Sequence, residues 1–457
     1  MSYYYSHIYF VGIGGIGMSN LARYFKSKDK VVAGYDRTES VLTDELEAEG
    51  IAVHYTDDIA AVPIDFLNKE TTLVVRTPAV PENHSELRFF RKNGYRILKR
   101  AQVLGELSLS SRSLCIAGTH GKTTTTTMTA HLLKQSAVDC SAFLGGISNN
   151  YDTNLLLSNH SDLTVIEADE YDRSFHQLTP YMAVITSVDA DHLDIYKTHA
   201  EYLESFAHFT ELIRTDGTLI IKKGLPLKYR VKPDVKVYFY SVTEKADFFA
   251  ENIQYKSGRL FFDFNYPGGR IHAIELGVPI QVNVENAVAA LALAHLNGVS
   301  DEELCLGLAS FKGTRRRFDF QIRRDDFVYL DDYAHHPEEL RASISSIKAL
   351  YPDKKITGIF QPHLYTRTRD FADEFAKVLS ELDDLILLDI YPAREQPISG
   401  VTSEMILEKV TLKSKTVTSL DKVFDILDTK HPEILVTLGA GSIDTLVPMI
   451  KRRYEAC

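Results

Sequence analysis

The chain has no excess of positive charge, few cysteines and no long apolar run. Its 457 residues carry 51 Lys and Arg against 62 Asp and Glu, a formal net charge of −11. That balance excludes a nucleic-acid-binding surface, which needs a basic face. It still permits anionic small molecules, since a few local Arg and Lys side chains can hold them. Only four cysteines occur, Cys115, Cys140, Cys305 and Cys457, and none has metal-site spacing. They fit a reducing cytoplasm, with Cys115 a small strand residue in the core and no cysteine placed as a nucleophile. No apolar run approaches the ~20 residues that a membrane helix requires. The opening residues MSYYYSHIYFVGIGG lack a basic start and a long apolar core, so a secretory signal is not expected. Short-period repeats and low-complexity linkers are lacking too.

What is present reads as a globular enzyme. Hydrophobic residues make up 44% and charged residues 25%, and the length suits three domains of about 150 residues each. The first part alternates strand and helix signals: Ile8–Val11, Met18–Lys26, Lys30–Tyr35, Leu42–Glu49 and Leu73–Val75. Such alternation predicts a parallel sheet with helices on its faces. A break is expected in the Ser-rich stretch 105–112. A second α/β region follows, with strands at Ser113–Ala117, Thr164–Glu167, Met182–Ser187 and Thr218–Ile221. Helices are expected at Thr123–Lys134 and Asn283–Asn297, and 235–276 reads as short antiparallel strands. A third α/β segment after Gly313 has strands at Phe327–Asp331, Lys355–Phe360, Asp384–Leu388 and Ile434–Leu438.

Two glycine-rich turns carry the chemistry. Gly118-Thr119-His120-Gly121-Lys122-Thr123-Thr124 joins a strand to a helix and reads as a phosphate cradle. Backbone N–H groups converge there at a helix N-terminus. Lys122 would reach the β/γ-phosphates and the Thr123 hydroxyl a Mg²⁺. The pattern is a shortened one, because Ile116 stands where the full motif has its first glycine. A tight turn with a surface lysine is the plainer alternative, although five threonines in a row (Thr123–Thr127) are poor helix formers. The second turn, Gly12-Ile13-Gly14-Gly15-Ile16-Gly17, satisfies G-x-G-x-x-G between a strand and a helix, with Asp36 near the spacing of a ribose-binding acid. Alone it suggests a dehydrogenase, or a turn that only allows close packing. With the Gly118 cradle it suggests one diphosphate site per domain, a nucleotide-linked substrate in one and ATP in the other.

Polar groups gather at other strand ends. Glu167-Ala168-Asp169-Glu170 is placed where a Mg²⁺-binding acid belongs, and Asp189-Ala190-Asp191-His192-Leu193-Asp194 suggests a second cation. Solvated acidic loops are the alternative for both. Asn283 and Asn286 lie one turn apart and could read an adenine edge, or Asn283 could cap the helix. Arg315-Arg316-Arg317 follows Gly313 at the expected hinge and would suit the γ-phosphate or its leaving charge, a solvated charged face being the alternative. Asp331–Pro337, Gln361–Arg369 and Gly439–Ser442 outline the mouth of a cleft in the third segment.

Together these residues resemble the Mur ligase family: Gly12–Gly17 with Met18 and Ser19, Gly118–Thr124, Glu167–Glu170, Asp191-His192, Asn283 with Asn286, Arg316-Arg317-Phe318, Asp331–Pro337 and Phe360–Arg369. They span nearly the whole chain in the family's order. The sequence departs from it at Val282, where relatives often have His, at Arg315, where Gly is usual, and at Ser442, where Asp is common.

The resemblance implies an N-terminal Rossmann-like domain (1–106) for a UDP-sugar, a central P-loop-type α/β domain (107–312) for ATP, and a C-terminal Rossmann-like domain (313–457) for an amino acid. It implies a cytoplasmic, ATP- and Mg²⁺-dependent amide ligase acting on UDP-N-acetylmuramate and L-alanine, as a monomer or weak homodimer. A relative that adds a whole tripeptide to the same sugar is the alternative, and a nicotinamide dehydrogenase or non-catalytic nucleotide switch lies further off. By position, Gly12, Gly14, Gly15, Ile16, Gly17 and Asp36 would hold the UDP-sugar. Gly118, Thr119, His120, Gly121, Lys122, Thr123, Thr124, Asn283, Asn286 and Arg316 would hold ATP, and Thr123, Glu170 and His192 the metal. Lys122, His192, Arg316 and His335 would be catalytic, with Tyr333, His335, His363, Arg367 and Arg369 on the amino-acid side.

Overall fold

The computed structural model describes residues 4–190, 193–393 and 395–455. Three sheets follow one another along the chain. The first holds β1 (His7–Val11), β2 (Val31–Tyr35), β3 (Ala52–His54), β4 (Thr72–Arg76) and β5 (Arg96–Lys99), in the order β3-β2-β1-β4-β5. All its pairings are parallel. The central strand β1 is buried on both faces, as such a sheet requires.

The second sheet has ten strands: β6 (Arg112–Ala117), β7 (Ser141–Ser148), β8 (Thr153–Leu156), β9 (Leu163–Glu167), β10 (Met182–Ile185), β11 (Thr218–Lys222), β12 (Lys236–Ser241), β13 (Phe248–Lys256), β14 (Arg259–Tyr266) and β15 (Gly269–Leu276). Their order is β15-β14-β13-β12-β11-β10-β6-β9-β7-β8. The third sheet runs β16-β17-β21-β18-β19-β20, from β16 (Asp319–Arg323), β17 (Val328–Asp332), β18 (Ile356–Phe360), β19 (Asp384–Leu388), β20 (Ser414–Thr418) and β21 (Ile434–Leu438). Only β16 pairs antiparallel in it.

One expectation needs correction. Strand β12 pairs parallel with β11 and, at one end, with β13, so 235–276 is not a run of antiparallel strands throughout. Residues 223–235 between β11 and β12 are long enough for the crossover of about a dozen residues that a parallel pairing needs. The Ser-rich stretch 105–112 is itself structured. The helix Arg100–Leu109 covers its first half, and β6 starts at Arg112.

Contacts divide the chain into two compact units, Met1–Asn252 with Phe262–Ile274 and Glu285–Phe311, and Ile253–Phe261 with Glu275–Val284 and Lys312–Cys457. In the first unit, alternation along β1 assigns each residue a face. Ile8 and Phe10 join a core that runs through Leu21, Phe25 and Leu104 to Cys115, Phe143, Ile166 and Ile185 of the second sheet and Phe206 of the helix His199–Glu211. Tyr9 and Val11 face a separate cluster with Phe66, Val74, Leu87 and Phe90. The first two sheets are thus fused by one apolar core. The second unit has its own, built on Tyr329, Ile359, Ile386, Leu435 and Ile450.

Candidate functional site

The middle of the second sheet, β10-β6-β9, sends three loops to one place from the carboxyl ends of its strands. After β6 the chain turns through Gly118 at φ 145° and Gly121 at φ 80°, and the helix Lys122–Lys134 begins at once. Only glycine suits these positions. A Cβ on Gly118 would lie 2.0 Å from Thr186 Oγ1, and one on Gly121 would lie 2.5 Å from Asn286 Oδ1. The loop after β10 braces the turn: Ser187 Oγ accepts from His120 N at 2.7 Å, and Thr119 N donates to Ser187 O at 3.2 Å. Thr119 Oγ1 donates to Asp189 O at 2.9 Å. The threonine row is helical because Thr125, Thr126, Thr127 and Thr129 are buried, so tertiary packing overrides their weak propensity.

Lys122 and two glutamates set the electrostatics. Lys122 Nζ donates to Gly118 O at 2.5 Å, to Thr119 O at 3.2 Å and to Glu170 Oε1 at 2.8 Å. Glu170 is buried. Thr123 Oγ1 donates to Glu167 Oε1 at 3.2 Å. Burial raises the Glu167 carboxyl above its ordinary range, an effect that Lys122 and Thr123 oppose. Glu167 Oε2 is buried without a hydrogen-bond partner among the described residues. A Cβ on Gly145 would sit 2.0 Å from that oxygen, so the strand β7 closes tightly over it.

The donor set beside the cradle is therefore all oxygen: one hydroxyl and two carboxylates. It fits a small hard cation that takes few protein ligands and completes its shell with phosphate oxygens and water. Among the described residues no group of three or more His, Cys, Asp or Glu side chains forms a ready-made cage. Asp191 and His192 lie outside the described residues. Asn286, in the helix Gln281–Leu296, accepts from Thr125 Oγ1 at 3.2 Å against the cradle, while Asn283 Nδ2 donates to Val278 O at 3.4 Å.

The first glycine turn is braced in the same manner. Gly12 N and Ile13 N both donate to Tyr35 O. Gly14 N donates to Asp36 Oδ2 at 2.7 Å and Arg37 N to Asp36 Oδ1 at 2.8 Å, so Asp36 ties the turn to the end of β2. The helix Ile16–Ser27 follows Gly15 directly. Arg100 Nε donates to Gly17 O at 3.1 Å.

In the second unit Arg316 is held on several sides. It meets Asp331 Oδ2 at 3.2 Å, Gly439 O at 2.6 Å and Asp444 Oδ2 at 3.6 Å, and its guanidinium lies 5.1 Å from the Tyr333 ring centre. Its φ of 63° is unusual for a side chain of that size. His335 Nδ1 meets Tyr333 O at 2.9 Å, and its ring centre is 5.8 Å from that of His363. Burial and the neighbouring His335 and Arg367 push the His363 imidazole down to about 4, so it is neutral at physiological pH. His363 Nδ1 and Arg367 Nη1 are buried without hydrogen-bond partners among the described residues. Arg369 is exposed and pairs with Asp370 instead.

Two participants were not singled out from sequence. Glu167 was one member of an acidic run, and its facing toward Thr123 depends on strand alternation at the end of β9. Gln361 accepts from Ile443 N at 2.8 Å and donates to Ser442 Oγ at 3.2 Å, holding the last glycine loop. The departure at Ser442 is thus used as a hydrogen-bond acceptor, and Val282 is half-exposed.

Comparison with known proteins follows the three sheets. Residues 7–112 match the model described as Mur ligase family, catalytic domain; 116–294 match the Mur ligase middle domain; and 316–441 match the Mur ligase, glutamate ligase domain. The UDP-N-acetylmuramate–L-alanine ligase of Parabacteroides distasonis is 60% identical over 444 residues, covering 97% of this chain and 96% of that protein. The protein of the same name from Porphyromonas gingivalis is 56% identical, over 98% and 99%. Among solved structures, the UDP-N-acetylmuramate-alanine ligase of Thermotoga maritima superposes with a TM-score of 0.83 at 26% identity, covering 98% and 99%. A murein peptide ligase from Psychrobacter arcticus shares the fold at a TM-score of 0.66 and 23% identity, covering 98% of both chains.

Proposed function

This chain belongs to the Mur ligase family, and from that membership we propose that it joins L-alanine to the lactyl carboxylate of UDP-N-acetylmuramate at the expense of ATP. The product serves peptidoglycan precursor synthesis. The observation that carries the reading is the pairing of two braced glycine turns in one fused unit, in a chain 60% identical along its length to a ligase of that name. The fold has three α/β domains, which we set at 1–106, 107–312 and 313–457. The first glycine turn receives the UDP diphosphate and the second the ATP phosphates. We place the enzyme in the cytoplasm, as a monomer or weak homodimer.

The reaction has two stages. The lactyl carboxylate attacks the γ-phosphate to give an acyl phosphate and ADP. The amine of L-alanine then attacks the acyl carbon, and phosphate leaves from a tetrahedral intermediate. In the first stage two anions must meet, so positioning and charge neutralisation dominate. Lys122 supplies a positive charge at the mouth of the cradle, and the backbone N–H groups of Gly121–Thr124, at the helix N-terminus, hold the phosphate oxygens. Thr123, Glu167 and Glu170 would hold one Mg²⁺ and His192 a second, and the cations would supply charge neutralisation at the phosphates. His335, His363 and Arg367 line the amino-acid side.

Phosphate release, measured with ATP and UDP-N-acetylmuramate across a panel of amino acids and the tripeptide, tests this. Release that needs both substrates and is fastest with L-alanine is expected. Preference for the tripeptide, or ATP turnover indifferent to the UDP-sugar, would overturn it.

A further inference from the structure

The two glycine turns lie on different sheets, and the acyl phosphate forms only if what they hold meets at bonding distance. Something must fix their separation. Asn154 in β8 is fully buried, although it is an amide on the hairpin β7–β8 of the second sheet. Its Nδ2 donates to Ile16 O at 2.6 Å and to Ser19 Oγ at 3.0 Å, both in the first turn of the helix that opens on the first glycine motif. Its Oδ1 accepts from Arg23 Nη1 at 2.9 Å, one turn further on. The amide orientation is fixed by these partners, two acceptors on one side and a guanidinium on the other.

A second bond runs parallel to this. Asn20 Nδ2, on the same helix and also buried, donates to Leu144 O of β7 at 3.3 Å. The next residue, Gly145, is the one closing over Glu167, which in turn accepts from Thr123 in the second cradle. Polar contacts and one strand thus run without a gap from the first glycine motif to the second.

We propose that the hairpin β7–β8 is a strut setting the distance between the UDP-sugar and ATP sites, with Asn154 as its positioning residue. The inference rests on the functional reading above. Asn154 touches neither substrate in this account; it acts through Ile16, Ser19 and Arg23. Its loss should leave each site able to bind while misplacing one against the other. A displacement of about 1 Å costs on the order of a hundredfold in rate.

The test is Asn154→Asp, which keeps size and the Arg23 contact but removes both donated bonds and sets an anionic oxygen against Ile16 O. Calorimetry gives the affinities for ADP and for UDP-N-acetylmuramate separately, phosphate release gives kcat, and thermal melting gives Tm. The expected result is a kcat lowered at least about tenfold with both affinities within about threefold of wild type. A lowered Tm with kcat unchanged would overturn the proposal, as would affinities that fall in step with kcat. If Asn154→Asp does not fold, Asn20→Ala cuts the parallel bond, and the same two outcomes decide. Wild-type turnover in the same assay tests the functional reading by itself, so its failure is distinguishable from failure of the strut.

Discussion

Lys122→Ala removes one ammonium and so perturbs two things at once. In the folded protein this ammonium lies 2.8 Å from buried Glu170. Breaking a buried pair by deleting one partner costs about 3–5 kcal/mol of stability. In the proposed reaction the same charge faces the phosphates, where a unit pair at about 4 Å and an effective dielectric near 20 is worth roughly 4 kcal/mol. Its loss should slow the chemical step by about a thousandfold. The two effects separate in Lys122→Ala/Glu170→Gln, which removes the stranded carboxylate charge together with the ammonium. Melting should show the single variant destabilised and the double variant largely recovered, while phosphate release stays low in both. Turnover of Lys122→Ala within about tenfold of wild type would refute the reasoning, and so would recovery of turnover in the double variant.

Gly121→Ala places a Cβ at φ 80° and 2.5 Å from Asn286 Oδ1. The left-handed backbone alone costs about 1–2 kcal/mol, so nucleotide affinity by titration should fall by roughly tenfold, with UDP-sugar affinity unchanged. Glu86 gives a pH prediction. It is buried, accepts from Tyr9 Oη at 2.8 Å, and burial pushes its carboxyl from 4.5 up to about 8. The folded state keeps a proton that the unfolded chain has released, so stability falls by a few kcal/mol as pH rises from 4.5 through about 8 and is flat above that. Glu86→Gln should remove this slope from Tm measured across the window; an unchanged slope would show that another group carries it.

Both glycine turns were legible in the sequence because glycine at a φ of 90° (Gly12), 145° (Gly118) or 80° (Gly121) is a local demand, written where it is used. Strands such as β6 and β9 were legible because buried parallel strands are short apolar runs. The division of labour between Glu167 and Glu170 was not. Glu167 still belongs to the strand and faces Thr123, whereas Glu170 lies past its end and meets Lys122, and three residues of sequence do not reveal that change of direction. The parallel pairing of β12 was hidden for a similar reason, since alternation marks a strand but not its direction. Asn154 was invisible because its partners lie more than 130 residues away.

The central claim is that the ATP phosphates lie in the Gly118–Thr124 nest, with Thr123 and a carboxylate from the end of β9 beside them. A crystal structure with a non-hydrolysable ATP analogue and Mg²⁺ tests it most directly. The account predicts the β- and γ-phosphates on the backbone amides of that turn, within reach of Lys122. The nucleotide bound elsewhere with the nest empty would contradict it.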